Sequence, residues 1–123
     1  PADLRAVMKS VTKYSDNTGG GSNTASYVTA TTDWLFLLAE FEYHGSRSYA
    51  NSAEQNYQQQ YAYYQAGNSK VHYRHDNTGT AVDAWCRSVY ASSGNLFCLV
   101  YTDGTAYSNY ADRSWAVAPG FAT

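Results

Sequence analysis

The sequence predicts one small α+β domain in which helices and sheet are segregated. Its length of 123 residues fits a single domain. The apolar patterns follow the order helix, strand, helix and then several short strands separated by turn residues. We therefore expect two helices packed on short antiparallel strands, with a loop-rich C-terminal half, over residues 1–123.

The first helix is predicted over residues 3–12. Asp3 can cap its first turn, and its apolar residues recur at helical spacing. They are Leu4, Val7, Met8 and Val11. This stripe should pack against the domain's own sheet, and residues 18–24 should form a loop.

The second helix is predicted over residues 52–66, with Ser52 as N-cap and Gln55 completing a capping box. Gly67 is placed to end it. The glutamine run 58–60 should face solvent. Tyrosines at i, i+4 and i+7 form the packing face, namely Tyr57, Tyr61 and Tyr64.

Between the helices, residues 26–39 are expected to form a strand. Its segment 34–38 (WLFLL) is apolar on both faces, which indicates either a central strand that is covered on both sides or a strand that runs into a helix. Residues 40–45 follow as a short helical turn that ends at Gly45.

Short strands are expected after the second helix. Residues 70–75 and 85–88 are strand candidates, and residues 77–79 mark a turn. A hairpin of residues 96–101 and 105–107 around Asp103-Gly104 is the clearest signal. Residues 115–122 form the last predicted strand, in which Pro119 indicates an edge position or a kink.

Composition argues against several classes of partner. The net charge is −2 without a basic cluster, so nucleic-acid binding lacks its usual electrostatic footprint. No apolar run approaches the roughly 18 residues of a membrane span. We expect no membrane insertion and no cofactor. Because the chain lacks an initiator Met and a signal peptide, we expect it to be a C-terminal piece of a longer protein.

The two cysteines, Cys86 and Cys98, leave two interpretations open. They are either small buried hydrophobic residues or partners in a disulfide. A zinc site is not supported, because no second His or Cys pair lies nearby. His72 and His75 do not make a metal pair, since residues three apart on a strand point to opposite faces.

Three acidic residues, Asp33, Glu40 and Glu42, could suggest a carboxylate site. The interpretation we favour is structural. Glu40 is expected to anchor the turn that carries it, by pairing with Arg87.

Residues 83–123 have the composition of a recognition surface. They contain no Lys, Glu, Gln, His or Met, but are rich in Ser, Asn, Asp, Gly and Ala and include Trp85, Trp115 and four tyrosines. Tyr and Trp give large contact area at low side-chain entropy cost, as in antibody loops. General acid–base catalysis usually draws on His, Glu or Lys, so no catalytic residue is expected here.

We expect a ligand-facing surface drawn from this region. Leu99 and Tyr101 alternate in phase and should share an exposed strand face, which leaves Cys98 and Val100 for the core. The alternative is that individual tyrosines pack as ordinary core with the hydroxyl at the surface. The predicted ligand-facing residues are Ala84, Cys86, Val89, Tyr90, Ser92, Asn95, Leu96, Leu99, Tyr101, Tyr107, Asn109, Tyr110, Asp112, Arg113 and Trp115.

Four stretches carry a family resemblance through their order and spacing. They are residues 33–38 with Glu40-Phe41-Glu42 and Gly45, then residues 63–70, then Trp85-Cys86-Arg87-Ser88, then Asp103-Gly104 with residues 116–121. From about Thr32 to its end, the chain resembles the C-type-lectin-like domains of surface and phage proteins of gut bacteria. Some of these are variable proteins of diversity-generating retroelements.

The departures from that pattern cluster. Ala84, Cys86, Val89 and Ala116 stand where the family commonly has Trp, Leu, Pro and Gly, and His44 stands where it has Phe. All but His44 lie in the last third of the chain. This clustering suggests a region in which side-chain identity is meant to vary.

The resemblance implies a C-type-lectin-like fold and a retroelement that copies a template with errors at adenines. Asn codons changed in this way yield Tyr, Ser, Asp and many others, but not Lys, Glu, Gln, Met or Trp. The first four of these are absent from residues 83–123, whereas residues 1–82 contain twelve. We therefore expect a variable region over residues 83–117. The other interpretation is a Tyr/Ser-rich β-region that has few long polar residues by chance.

The implied partner is a cell-surface protein or glycan of a host or neighbouring cell. The domain would lie on a phage tail or a bacterial surface, and could form a homo-oligomer through its parent protein. Calcium binding of the sugar-binding lectin kind is not supported, because the paired acidic and amide ligands of such a loop are absent.

Two other classes of function stay open. The tyrosine-rich face could be a subunit interface in a structural virion or surface module, without ligand diversification. An enzyme, by analogy with C-type-lectin-like relatives that modify sulfatases, would have to use Cys86 or Cys98, and no base lies nearby in sequence.

Overall fold

Nine short strands and three short α-helices form the domain in a computed structural model that describes residues 1–123. The helices are α1 (Ala2–Val7), α2 (Glu40–His44) and α3 (Ala62–Gln65), and two 3₁₀ segments cover Ala25–Tyr27 and Ser52–Asn56. The strands are β1 (Val11–Asp16), β2 (Val28–Asp33), β3 (Phe36–Leu37), β4 (His72–Arg74), β5 (Asn77–Val82), β6 (Ala84–Val89), β7 (Leu96–Val100), β8 (Ala106–Tyr110) and β9 (Pro119–Gly120). The domain is thus a small mixed α and β fold, made mostly of strands, with three helices instead of the two expected.

The strands pair antiparallel in four small sheets. Three sheets have two strands each, β1-β2, β3-β9 and β4-β5, and the fourth has the order β6-β7-β8. The C-terminal half therefore holds six of the nine strands. The central strand β7 is apolar (LFCLV), and its last three residues are fully buried.

The core lies between α2 and the three-stranded sheet. Leu38, Tyr43, Ala50, Cys86, Cys98 and Val100 form one buried cluster, against which Phe36, Tyr49 and Tyr64 pack. Val100 and Cys98 face the core as expected. Both thiols are free and buried, so the cysteines are small core residues and do not form a disulfide.

A buried ion pair joins the elements around this core. The guanidinium of Arg87 in β6 donates to both carboxylate oxygens of Glu42 in α2, from Nη1 at 2.9 Å and from Nη2 at 3.2 Å. Nη1 also donates to the carbonyl oxygen of Leu37 at 2.7 Å. Arg87 therefore holds β6, α2 and β3 together.

Glu40 acts as an anchor, as expected, but its partner is not Arg87. Its carboxylate accepts hydrogen bonds from the backbone N–H groups of Ser48, Tyr49 and Ala50, at 2.7–3.2 Å. Arg87 pairs with Glu42 because Glu42 lies at the start of α2 beside β6, where it also accepts from the N–H of Ala39 at 2.8 Å. The expected Glu40–Arg87 pair is therefore wrong.

Several local predictions are confirmed. Helix α2 ends at Gly45, which has φ of 70°, and Gly67 after α3 has φ of 89°. The Asp103-Gly104 hairpin joins β7 and β8, with Gly104 at φ of 89°. The carboxylate of Asp103 accepts from the N–H of Thr105 at 3.0 Å and from its hydroxyl at 2.6 Å. β4 lies within the expected segment 70–75, and β6 covers the expected segment 85–88 with one further residue at each end.

The predicted N-terminal helix is too long. α1 ends at Val7, and Met8 already has extended backbone angles. Val11, the last residue of the predicted stripe, begins β1 and lies opposite Asp33 in β2. Strand pairing has overridden a weak helical pattern, and α1 has no buried residue that docks on the sheet.

The predicted strand over residues 26–39 is broken. The chain bends at Trp34 and Leu35, so that β2 pairs with β1 while β3 pairs with β9. Trp34 is 57% exposed and Leu35 is 56% exposed. The interpretation of this run as a doubly covered central strand is wrong, because the central buried strand is β7. The alternative agrees with the structure, since β3 runs into α2.

The predicted helix over residues 52–66 is interrupted between its 3₁₀ start and α3. Asn51, not Ser52, is the N-cap, and its side-chain oxygen accepts from the N–H of Ala53 at 3.0 Å. Gln59 is exposed as expected, whereas Gln58 and Gln60 are half-buried. Their side-chain amides donate to the carbonyl oxygens of Tyr14 and Tyr43, at 2.8 and 3.0 Å, and these contacts replace helical turns.

Two C-terminal boundaries also differ. The turn of the β4–β5 hairpin lies at residues 75–76, so Asn77 already belongs to β5. The last strand is confined to β9, where Pro119 lies opposite Leu37 in a two-stranded sheet. Single bridges at Ala116 and Ala122 are all that remains of the longer predicted strand.

We predict that Arg87→Ala lowers the free energy of unfolding by about 3–5 kcal/mol, because it leaves the buried Glu42 carboxylate without a partner. Arg113→Ala is the matched control, since the Arg113 side chain is 58% exposed and its loss should cost within about ±0.5 kcal/mol. Chemical denaturation of the purified domain measures both. Equal stabilities of the two variants would contradict the role given to Arg87.

Candidate recognition surface

Four tyrosine rings form a continuous row from the edge of the core to the surface, in which Tyr49 and Tyr90 are half-buried and the other two are exposed. The ring centroids of Tyr90 and Tyr49 lie 5.8 Å apart, those of Tyr49 and Tyr107 6.4 Å, and those of Tyr107 and Tyr101 5.3 Å. Tyr107 is 44% exposed and Tyr101 is 41% exposed. These residues are called the tyrosine row. Such edge-to-face and tilted contacts stabilise aromatic rings beyond their buried area.

The three-stranded sheet positions the exposed end of the row. Tyr107 in β8 lies directly opposite Leu99 in β7, so the two side chains share a face of the sheet. Tyr101 follows β7, and its N–H donates to the carbonyl oxygen of Thr105 at 2.8 Å. Because β7 is paired on both sides, the backbone under these two rings is held in place.

Tyr49 belongs to the row but lies outside the predicted variable region. Its N–H donates to both carboxylate oxygens of Glu40, at 3.1 and 3.0 Å, and the loop after α2 is thereby fixed against the sheet. The N–H of Ala91 in turn donates to the carbonyl oxygen of Tyr49 at 2.9 Å. Nothing in the sequence near Tyr49 marks it as a surface residue of this cluster.

The predicted ligand-facing residues divide by burial. Those exposed are Ser92, Asn95, Tyr101, Tyr107, Tyr110, Asp112, Arg113 and Trp115, and those half-buried are Tyr90, Leu96 and Asn109. Ala84, Cys86, Val89 and Leu99 are buried, with at most 8% of their surface exposed. Their placement on an exposed face is wrong.

Leu99 shows the physical reason for this correction. It lies in the middle strand, between Trp85 of β6 and Tyr107 of β8. Side chains alternate between the two faces of a strand, but both faces of β7 are covered. Leu99 is therefore buried although it points away from the face that Cys98 and Val100 occupy.

The exposed predicted residues do not form one patch. Trp115 lines a groove with residues of the β4–β5 hairpin, among them Tyr73 and Arg74. Asn95, Tyr110 and Asp112 line a separate small hollow of about 250 Å³. The sequence pattern identified exposed residues of the kind that bind partners, but it did not predict which of them lie next to one another in the fold.

The two cysteines are poor candidates for thiol chemistry. Burial, together with the nearby carboxylate of Glu40, raises the pKa of both the Cys86 and the Cys98 thiol. The Cys98 thiol donates to the carbonyl oxygen of Val89 at 3.6 Å. A nucleophilic cysteine needs a lowered pKa and access to substrate, and this environment offers neither.

The carboxylates singled out in the sequence do not converge. Asp33 pairs with Lys13 at 3.0 Å, and this contact lowers the Asp33 pKa. Glu40 and Glu42 bind backbone groups and Arg87 as described. The chain brings no group of three or more His, Cys, Asp or Glu residues together in a way that could hold a metal ion.

A second carboxylate pair, Asp16 and Glu54, was not anticipated from the sequence. Glu54 Oε1 accepts from the N–H of Asp16 at 2.8 Å, and Oε2 accepts from the hydroxyl of Ser88 at 3.0 Å. Asp16 Oδ1 accepts from the N–H groups of Thr18 and Gly19. Burial raises the pKa of Glu54 to about 7, against the opposing effect of these hydrogen bonds.

Comparison with known proteins assigns the chain to a family. The chain belongs to the family described as Domain of unknown function (DUF6273), which matches residues 1–122. No match was found among curated proteins or among solved structures. No helix of the domain combines the length and apolar character that a membrane span requires.

We predict that Glu54 stabilises the folded domain at low pH and that this contribution is lost as pH rises from about 4.5 to about 7. Its folded-state pKa is about 7 against 4.5 for the free side chain, so folding favours the protonated form. This contribution is fully present below pH 4.5 and is lost through pH 7; it is on the order of 3 kcal/mol.

Unfolding by urea at several pH values, for the wild type and Glu54→Gln, measures this contribution. The difference in unfolding free energy between the two proteins should change across that pH window, because the amide does not titrate. A difference that is constant from pH 4 to pH 8 would show that Glu54 is not responsible.

Proposed function

We propose that this domain is a non-enzymatic ligand-binding module with a C-type-lectin-like fold, and that its exposed tyrosine row contacts a macromolecule on a host or neighbouring cell. The row itself carries the proposal. Large aromatic side chains with hydroxyl groups, exposed and held in contact with one another, are the residues most often found at binding hot spots. Their rings lose little conformational entropy when a partner covers them.

The packing of the resembling stretches supports the proposed fold. Glu42 from the stretch 40–42 and Arg87 from the stretch 85–88 form the central ion pair. The Asp103-Gly104 hairpin forms one edge of the same sheet. Stretches that are far apart in sequence thus meet around a single core.

Diversification by a retroelement is part of the proposal. The exposed members of the predicted set can change without loss of fold, because surface substitutions usually cost within about ±0.5 kcal/mol. The buried members, Ala84, Cys86, Val89 and Leu99, act in the proposal as scaffold and not as contacts. The domain would belong to a phage tail or a bacterial surface protein.

A subunit interface is the second candidate, because the same exposed rings could pack against another copy. Light scattering of the purified domain discriminates between the two. A tight oligomer that dissociates when Tyr101 and Tyr107 are replaced by serine favours the structural module. A monomer with the row exposed favours ligand binding.

We predict that Tyr101→Ser with Tyr107→Ser reduces binding of the labelled domain to intact bacterial cells by roughly thirtyfold or more, since the loss of a single hot-spot side chain costs about 2 kcal/mol. The cells are isolates from the habitat of the source organism. Tyr63→Ser is the control, because Tyr63 is 62% exposed and lies outside the row. No saturable binding to any isolate, or equal loss in the control, contradicts the proposal.

A further inference from the structure

A groove of about 580 Å³ lies between the β4–β5 hairpin and residues 114–117. Tyr73, Arg74 and Asp76 line it from the hairpin, and Trp115 and Val117 line it from the C-terminal segment. It is called the Tyr73–Trp115 groove. Its volume falls in the range of small-ligand sites, roughly 300–1,000 Å³. Tyr73, Arg74 and Asp76 lie outside the predicted variable region and outside the tyrosine row.

Two aromatic side chains give the groove flat apolar surfaces. Tyr73 is 55% exposed and Trp115 is 37% exposed. The face of an aromatic ring carries partial negative charge. It therefore attracts C–H bonds that carry partial positive charge, such as those on the face of a pyranose ring next to its oxygen substituents.

A fixed hydrogen-bonding pair lies beside these rings. Arg74 Nε donates to Asp76 Oδ1 at 2.9 Å, and Nη2 donates to Oδ2 at 2.7 Å. This two-pronged contact uses two of the five guanidinium N–H groups and leaves the others free. The groove thus offers donors and acceptors side by side, and the two charges of the pair cancel.

We propose that the Tyr73–Trp115 groove binds a neutral oligosaccharide. The aromatic rings stack on the C–H faces of the sugar units, while Arg74 and Asp76 bind adjacent hydroxyl groups, each of which both donates and accepts. The proposal deepens the proposed function, and rests on it in taking the ligand from a cell surface. It names the chemical class of one ligand, and it assigns that ligand to a surface separate from the tyrosine row.

An extended peptide fits this groove less well. A peptide that adds to a strand edge needs free backbone N–H and C=O groups. At the C-terminal wall, the Ala116 N–H donates to Asp83 and its carbonyl accepts from Trp85, at 2.9 and 3.0 Å. On the hairpin side, β4 is three residues long and offers a peptide only a short outer edge.

The test is binding of the labelled full chain to a printed array of neutral oligosaccharides built from glucose, galactose, mannose, N-acetylglucosamine and N-acetylgalactosamine. The proposal expects saturable binding to a subset of the array. Tyr73→Ala and Arg74→Ala should each reduce that binding roughly tenfold. Tyr73→Phe should retain it, because the ring face is kept. Circular dichroism and thermal unfolding establish that each variant is folded.

The double variant Tyr101→Ser with Tyr107→Ser separates this proposal from the preceding one. It should bind the array as the wild type does, even where its binding to cells is reduced. Absence of binding to every neutral sugar overturns the oligosaccharide assignment. Array binding that is lost in the double variant but kept in Tyr73→Ala and Arg74→Ala overturns the assignment to this groove. Loss of cell binding in the double variant supports the tyrosine row in either case.

Discussion

The ion pair between Arg87 and Glu42 is the contact on which the arrangement of the domain depends. Both side chains are about nine-tenths buried, and the pair connects β6 with α2 across the core. Burying two charges is costly, and it is tolerated where each one is paired and hydrogen-bonded. Here further hydrogen bonds are made by the backbone of Leu37 and Ala39, at the chain segment that enters α2, and by the carbonyl oxygen of Tyr14, while Arg87 Nε has no partner. The pair therefore fixes both the helix and the strand that leads into it.

The neighbouring carboxylates extend this framework toward the surface. Glu40 holds the loop that carries Tyr49, and Glu54 ties β1 to Ser88 of β6. The loop that carries Tyr49 is thus bound to α2 through the Glu40 carboxylate, and to the segment after β6 through the N–H of Ala91. The tyrosine row gains from this rigidity, since side chains that are ordered before binding lose less entropy when a partner arrives. These carboxylates and Arg87 are buried, whereas the residues proposed to vary are exposed.

Turns and helix ends were predictable from the sequence, because they depend on residues that are close together in the chain. A glycine with positive φ ends α2 at Gly45, and Asp103-Gly104 makes the β7–β8 hairpin, because the turns themselves require these residues. Segments decided by distant partners were predicted poorly. Gln58 and Gln60 bind carbonyl oxygens far away in the chain and interrupt a helix that the local pattern favoured. Leu99 alternates as an exposed residue would, yet both faces of its strand are covered. Composition indicated a recognition surface in the last third, but Tyr49 and Tyr73 come from elsewhere and could be assigned only from the fold.

The central claim is that a constant buried framework supports a face whose side chains are free to change. Sequencing this gene and its surroundings from many isolates tests it most directly. The account predicts a near-copy of the segment encoding about residues 84–121 beside a reverse-transcriptase gene. Differences between copies should fall at adenines of the near-copy, in codons for exposed residues such as Tyr101, Tyr107 and Asp112, while the codons for Glu40, Glu42 and Glu54 stay constant. No near-copy, or differences spread over all four bases and over the framework codons alike, would contradict it.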